Sequence, residues 1–177
     1  MKKILAISGS TRHPSSNSNI LQYISGLLPT GYIVDFFEGL DKLPHFNPDL
    51  DTTALPPEIE AFRAKIAAAD GILICTPEYV FSLPGSLKNA LEWCVSTTLL
   101  SHKNAGLVTA SASGEKGHEQ LLLIMKTLEA RFTSETQLLI QGVRGKINPE
   151  GILTDALTAQ QLKAFAMAFQ ELVESND

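Results

Sequence analysis

The feature that most constrains the fold is an alternation of short apolar runs with longer segments of helical period. The runs at residues 4–7, 71–76 and 105–110 are brief and give way to polar or turn-forming residues. Strands buried on both faces of a parallel sheet have this pattern. Weaker runs at residues 33–37 and 137–140 would supply two more strands. The chain is therefore predicted to alternate strand and helix throughout.

The segments that follow these runs carry apolar residues at helical spacing, which predicts one apolar stripe per helix lying on a sheet. The stripes are Ile20, Leu21, Ile24, Leu27 and Leu28; Ile59, Phe62, Ile66 and Ala69; Leu87, Leu91, Cys94 and Val95; Leu121, Ile124, Met125 and Leu128; and Leu162, Phe165, Phe169, Leu172 and Val173. Right-handed crossovers between parallel strands then favour an α/β, flavodoxin-like three-layer sandwich. Its five-stranded parallel sheet is predicted to have the order 2-1-3-4-5.

Length, charge and cysteine content narrow the functional classes. A chain of 177 residues with 44% hydrophobic residues suits a single globular domain spanning residues 1–177. A net charge of −5 argues against nucleic-acid partners. The apolar run at residues 4–7 is too short for a signal peptide or membrane helix, so no membrane partner is expected. For the same reason a cytoplasmic location is expected. Cys75 and Cys94 lie in apolar runs as reduced thiols, and no His and carboxylate spacing matches a metal site.

The loop after the first strand is rich in groups that attract anions. In a sheet of this order, ligands bind beyond the carboxyl ends of the strands, where the strand order reverses. The donors there are Ser10, Arg12, Ser15, Asn17 and Ser18, just before a predicted helix. Together with the helix amides they predict a cradle for a phosphate monoester. The plainer alternative is that residues 15–19 only cap the helix. The P-loop and GxGxxG motifs are both missing.

Two further loops should lie beside this cradle. The loop after the third strand carries Pro77, Pro84, Tyr79 and Phe81, a stiff segment that could offer backbone groups and ring faces to a flat heterocycle. Its alternative is a tight turn with the aromatic side chains packed in the core. The loop after the fourth strand, residues 109–118, has small residues that would let a planar ligand approach closely. It could equally be an ordinary turn with Ser113 as the helix cap.

The sequences of these loops resemble those of the NADPH-dependent FMN reductase family, which includes chromate, quinone and azo reductases. The resemblance rests on Ser-Gly-Ser-Thr-Arg and on Pro-Glu-Tyr-x-x-Ser-x-Pro-Gly-x-Leu-Lys-Asn-Ala-Leu-Glu-Trp, and it covers residues 2–139. It implies non-covalent FMN with its phosphate at the first loop and its isoalloxazine between the other two. The implied contacts are Ser10, Arg12, Ser15, Asn17 and Ser18 for the phosphate, and Pro77, Glu78, Tyr79, Val80, Ser111, Ser113 and Gly114 for the ring.

The resemblance also implies an activity. NAD(P)H would deliver hydride to flavin N5, and a quinone, azo dye, metal oxyanion or free flavin would then be reduced in a ping-pong reaction. The chain would form a homodimer or homotetramer, with residues 87–93 near the interface. No side chain is assigned as catalytic, and Glu78 and His118 are the titratable groups whose roles stay open.

Two positions depart from the family pattern. Many relatives have Asn where this chain has Val80, which puts a substrate contact there in question. Many also have paired glycines where this chain has Gly117 and His118, so His118 is expected to narrow the pocket or touch the flavin.

Two rival functions stay open from sequence. One is a flavodoxin-like electron carrier, against which Arg12 speaks because flavodoxin phosphate loops are typically rich in Ser, Thr and Gly without such a cation. The other is a flavin-free module that binds a different phosphate ligand in the same cradle.

Overall fold

A computed structural model describes residues 1–175 and shows five strands in one parallel sheet. The strands are β1 (Lys2–Ser8), β2 (Tyr32–Phe36), β3 (Gly71–Thr76), β4 (Asn104–Ser111) and β5 (Gln137–Gln141). Their order is β2-β1-β3-β4-β5, and every pairing is parallel. The predicted sheet and its order are confirmed.

Four α-helices join successive strands, namely α1 (Ser16–Leu27), α2 (Pro57–Ala68), α3 (Gly85–Glu92) and α4 (Glu115–Thr127), and α5 (Ala156–Glu174) follows β5. Single turns of 3₁₀ helix occur at Leu40–Lys42 and Pro48–Leu50, between β2 and α2, and at Val143–Gly145, between β5 and α5. Within residues 1–175, none of the helices has the length and apolar character needed to span a membrane.

The strand residues alternate between two apolar cores, one on each face of the sheet. Ile4 and Ala6 of β1 face the core beneath α1 and α5, whereas Leu5 and Ile7 face the core beneath α2, α3 and α4. All six residues of β3 are buried. The fold is thus a three-layer sandwich, with its most enclosed strand at the centre.

The third helix is shorter than its apolar stripe predicts. It ends at Glu92, so Cys94 and Val95 lie in the following turns, and Val95 is 62% exposed. The amides of Cys94 and Val95 donate to carbonyls only three residues back, while Arg63 Nε donates to the carbonyl of Trp93 at 2.8 Å. The chain has thus left the α-helical hydrogen-bond pattern at these residues, and the prediction that Cys94 and Val95 extend the helix is wrong.

Candidate functional site

A cavity of about 790 Å³ lies beyond the carboxyl ends of β1, β3, β4 and β5. The strand register explains why these ends meet, because Ser8 pairs with Cys75, Thr76 with Thr109, and Ser111 with Gln141. The strand order reverses between β1 and β3, whose crossovers go to opposite faces of the sheet. Four loops thus surround one space.

Most of the ligand-binding residues predicted from the sequence line this cavity. They are Ser10, Arg12, Ser15, Asn17, Pro77, Glu78, Tyr79 and Ser111. Four predicted residues, Ser18, Val80, Ser113 and Gly114, are not among the lining residues. The structure therefore brings the three predicted loops together but gives some of their members other surroundings.

The first loop forms the cradle at the start of α1. Ser15 is the N-cap residue, and its Oγ accepts from the amide of Ser18 at 3.5 Å. The Oγ of Ser10 accepts from the amide of Arg12 at 3.3 Å. Both hydroxyls use a lone pair in these bonds, so their protons stay available to a ligand. Capping and ligand binding are thus compatible roles for Ser15.

The charges at the cradle favour an anion. Arg12 is exposed, and within residues 1–175 its guanidinium makes no hydrogen bond or ion pair. The first turn of α1 carries no acidic side chain. The positive end of the helix dipole and a free cation therefore act in the same direction.

Ser18 connects α1 to the end of β1, where the first loop begins. It lies in the first turn of α1, and its Oγ is 3.3 Å from the Oγ of Ser8, the last residue of β1. Ser8 Oγ in turn donates to the carbonyl of Ser10 and accepts from the amide of Ser10, each at 3.3 Å. Ser18 therefore joins the helix to the loop rather than lining the cavity.

Residues 79–82 form a tight turn with an unusual backbone. The amide and carbonyl of Tyr79 bond to the carbonyl and amide of Ser82 at 2.9 and 3.0 Å. Val80 and Phe81 between them have φ of 51° and 56°, the conformation of a type I′ turn, in which Asn and Gly are favoured. Val80 is 95% exposed. The positive φ at position 80 would therefore favour Asn there whether or not the side chain contacts a substrate.

The Glu78 carboxylate connects the loop after β3 to the start of α4. Its two carboxylate oxygens accept from the amides of Gly114 at 3.3 Å and Gly117 at 2.7 Å, at the start of α4. A Cβ at Gly117 would lie 3.0 Å from the Cβ of Glu78, so a glycine permits this approach. Gly114 is the N-cap residue and no side chain of its own segment caps the helix. The cap expected from Ser113 is supplied by Glu78 instead.

Gln120 makes a second connection between the turn at residues 79–82 and α4. Its Oε1 accepts from Ser82 Oγ at 2.6 Å, and its Nε2 donates to the carbonyl of Phe81 at 3.2 Å. The stiffness that the prolines predicted for this loop therefore also has a tertiary source.

His118 does not line the cavity. It lies in α4, with Nδ1 3.0 Å from Thr109 Oγ1 at the end of β4. Burial lowers the pKa of His118 below its ordinary value, which favours the neutral ring at physiological pH. The structure gives it a bond between β4 and α4 rather than a place in the pocket.

The Lys-Asn-Ala-Leu-Glu-Trp segment holds the loop that follows β2. Asn89 Oδ1 accepts from the amide of Phe46 at 2.7 Å, and its Nδ2 donates to the carbonyl of Pro44 at 3.0 Å. Trp93 is fully buried, and its Nε1 donates to the same Pro44 carbonyl at 2.8 Å. These motif residues therefore organise the protein around the site.

The sequence reasoning missed one wall of the cavity, residues 142–151 after β5. A short hairpin forms there, in which Asn148 N donates to Ile152 O and Gly151 N donates to Asn148 O, both at 2.9 Å. Gly151 has φ of 82°, and a Cβ on it would lie 2.8 Å from Asn19 Nδ2 of α1. The Asn-Pro-Glu-Gly turn signal was present, and every loop at this edge of the sheet was a candidate.

The missed wall also brings a second cation to the cavity. Arg144 lies in the 3₁₀ turn Val143–Gly145, is exposed, and lines the cavity together with Arg12. Glu150 lines the same wall. The cavity lining therefore holds two arginines and two glutamates, Glu78 and Glu150, and both oxygens of Glu78 already accept from the amides of Gly114 and Gly117.

Comparison with known proteins gives a consistent picture. The model of the family described as NADPH-dependent FMN reductase matches residues 2–144. An NAD(P)H-dependent FMN reductase of Pseudomonas aeruginosa is 32% identical over 179 aligned positions, covering 96% of this chain and 96% of that protein. An NAD(P)H:quinone oxidoreductase of Solanum tuberosum is also 32% identical, covering 96% of this chain and 92% of its own length.

A solved structure extends the likeness to three dimensions. FerB, a flavoenzyme NAD(P)H:(acceptor) oxidoreductase from Paracoccus denitrificans, superposes with a TM-score of 0.83 at 25% identity and covers 98% of both chains. The hairpin beyond residue 145 lies outside the matched family region but inside these full-length alignments.

Proposed function

The chain belongs to the NADPH-dependent FMN reductase family, and on that premise we propose that it is an NAD(P)H-dependent flavoenzyme that reduces quinones or free flavin. The observation that carries the proposal is the cavity itself, in which a donor-rich cradle at the start of α1 meets a stiff loop after β3. Azo compounds and metal oxyanions, which are also reducible, are included as further acceptors in the same proposal.

The cavity residues fit FMN. The hydroxyls of Ser10 and Ser15, the guanidinium of Arg12 and the amides of α1 all present donors, as a phosphate requires. Pro77, Glu78 and Tyr79 supply a rigid wall for the flat ring system, and Ser111 lines the same cavity from the end of β4. When bound, FMN would supply the redox chemistry, passing a hydride equivalent from NAD(P)H to the acceptor.

The protein's own contribution is to bind and orient. Arg12 and the α1 dipole hold the anionic end, while Glu78 and Gln120 keep residues 77–82 in place against α4. Both oxygens of Glu78 accept from backbone amides, and His118 lies outside the cavity lining. We therefore assign neither residue to proton transfer.

Self-association is part of the same proposal. The turn beside the cavity exposes three apolar side chains, with Tyr79 51%, Val80 95% and Phe81 72% exposed. Such a patch next to a binding site is typical of an interface. We propose a homodimer or homotetramer, which light scattering on the purified protein would test. The two buried, unpaired thiols of Cys75 and Cys94 fit a reducing, cytoplasmic setting.

The first experiment mixes FMN-reconstituted protein anaerobically with NADH and then with NADPH, following the visible absorbance of oxidised flavin. Rapid bleaching by either nucleotide, followed by recovery on adding a quinone, supports the reductase. Binding of FMN without bleaching would replace it with the electron carrier. Failure to bind FMN would leave a module for another phosphate ligand.

The phosphate cradle has its own test. Arg12→Ala should raise the Kd for FMN about tenfold, since a charged hydrogen bond to phosphate contributes roughly 1.5–3 kcal/mol and this one is exposed. Lys163→Ala removes the same charge from an exposed position of α5 outside the cavity lining and serves as the control. Equal affinities of the two variants would contradict the assignment of Arg12.

A further inference from the structure

A buried thiol lies directly beneath the cradle. Cys75 is the residue before the last of β3, is fully buried, and belongs to the core beneath α1 and α5. Its Sγ lies 3.2 Å from Oδ1 of Asn17, in the first turn of α1. Burial raises the pKa of the Cys75 thiol above its ordinary value. The thiol is therefore protonated at physiological pH, and its S–H donates to the amide oxygen.

This bond sets the orientation of the Asn17 side chain. An amide offers an acceptor on one side and two donors on the other, and with Oδ1 turned toward the thiol, the NH₂ group is turned away from it. Asn17 is only 5% exposed and lines the cavity. Within residues 1–175, Asn17 Nδ2 has no hydrogen-bond partner, but this atom is not fully enclosed by protein. The free donors therefore face the cavity.

The opposite orientation would oppose phosphate binding. If the amide were rotated by half a turn, its carbonyl oxygen would face the cradle, where a phosphate dianion must lie. Two acceptors would then meet without a proton between them, inside a site that otherwise presents donors. Any side chain beneath Asn17 that cannot donate removes the preference for the favourable orientation.

We propose that Cys75 is a positioning residue for the FMN phosphate, because its thiol holds the Asn17 amide with both N–H donors toward the cradle. The inference rests on the proposed function and deepens it. It concerns the phosphate alone, because Asn17 belongs to the cradle at the start of α1 and the flat-ring wall is built from residues 77–79.

The test compares two substitutions of similar size. Cys75→Val keeps an apolar side chain of comparable volume but has no donor, whereas Cys75→Ser keeps a donor to Asn17 Oδ1. FMN is titrated into each flavin-free full-length variant, with affinity read from quenching of flavin fluorescence. We expect Cys75→Val to raise the Kd for FMN between about three- and tenfold, the range of one neutral hydrogen bond, and Cys75→Ser to stay within about twofold of wild type.

Repeating the Cys75 substitution in Asn17→Ala protein distinguishes an effect on the Asn17 amide from an effect on core packing. In Asn17→Ala protein there is no amide to orient, so adding Cys75→Val should leave the Kd for FMN unchanged. Riboflavin, which lacks the phosphate, should bind wild type and Cys75→Val equally. The unfolding free energy of each variant is measured in urea to separate affinity from stability.

Four outcomes would overturn the proposal. Wild-type affinity for FMN in Cys75→Val would show that the thiol orients nothing. An equal loss in the Asn17→Ala background, or an equal loss for riboflavin, would show that Cys75 acts through packing. Failure of the wild-type protein to bind FMN would instead remove the proposed function, and this inference with it, before any variant is compared.

Discussion

Replacing Glu78 should weaken the fold measurably, because its carboxylate is the cap of α4. Two amides at the start of that helix, those of Gly114 and Gly117, depend on it for an acceptor. Hydrogen bonds to a charged group contribute roughly 1.5–3 kcal/mol each when buried, and a negative charge at a helix start adds about 0.3–1 kcal/mol. Glu78 is half-buried, so we expect Glu78→Ala to lower the unfolding free energy by about 2–3 kcal/mol.

Glu78→Gln separates the geometry of the cap from its charge. The amide can accept through only one atom, so one of the two helix amides would face another N–H group, and the charge is lost as well. We expect a loss of about 1–2 kcal/mol, smaller than that of the alanine variant. Urea unfolding followed by circular dichroism gives both values.

Glu119→Ala is the matched control for this measurement. Glu119 also lies in α4, but its side chain is 63% exposed and, within residues 1–175, forms an ion pair with Lys116 alone, and an exposed pair of this kind contributes at most about 0.5 kcal/mol. If Glu78→Ala unfolds at the same urea concentration as Glu119→Ala, the capping role assigned to Glu78 is refuted. Hydrogen exchange of the Gly117 amide, which should quicken in Glu78→Ala and not in the control, tests the same bond directly.

Three further substitutions test other parts of the structure. Gly9→Ala would place a Cβ 2.3 Å from Oγ1 of Thr76, so it should cost about 2 kcal/mol in urea unfolding, and a fully stable variant would show that this junction yields. Val80→Asn should raise the unfolding free energy by about 1 kcal/mol, because it relieves a φ of 51° without losing buried surface; a lower urea midpoint would contradict that reasoning. A hydrogen bond from Ser96, assisted by Arg63, lowers the pKa of Asp51 although burial raises it. The stability that Asp51 contributes is therefore present above its unfolded-state pKa and is lost as pH falls through its folded-state pKa. The difference in unfolding free energy between wild type and Asp51→Asn should thus shrink on acidification below about pH 4. A difference that does not change with pH would exclude this linkage.

The fold could be predicted from the sequence because its signals are local and repeated. Strands buried on both faces need continuous apolar runs, and helices packed on one side need stripes at helical spacing. Crossovers between parallel strands have one hand, so an alternating chain has few sheet orders to choose from. The end of α3 was mispredicted because the apolar period continues through Cys94 and Val95 although the helix ends at Glu92, so the period alone did not locate that end.

The cradle at the start of α1 was predictable for a related reason. Its donors lie within ten residues of each other, and the end of β1 fixes their direction. The hairpin at residues 142–151 was missed because its Asn-Pro-Glu-Gly sequence indicates a turn but not a ligand site, and the pairing of β5 with β4 brings it to the cavity.

The sequence by itself therefore determined the layers, the strand order and the edge of the sheet where the predicted loops meet, since apolar period and backbone chirality act along the chain. The tertiary structure alone decided what each polar side chain does at that edge. Glu78 became a helix cap, His118 a partner of Thr109, and Cys75 a donor to Asn17. The physical reason is that a hydrogen bond depends on distances of a few tenths of an ångström between groups that are far apart in sequence.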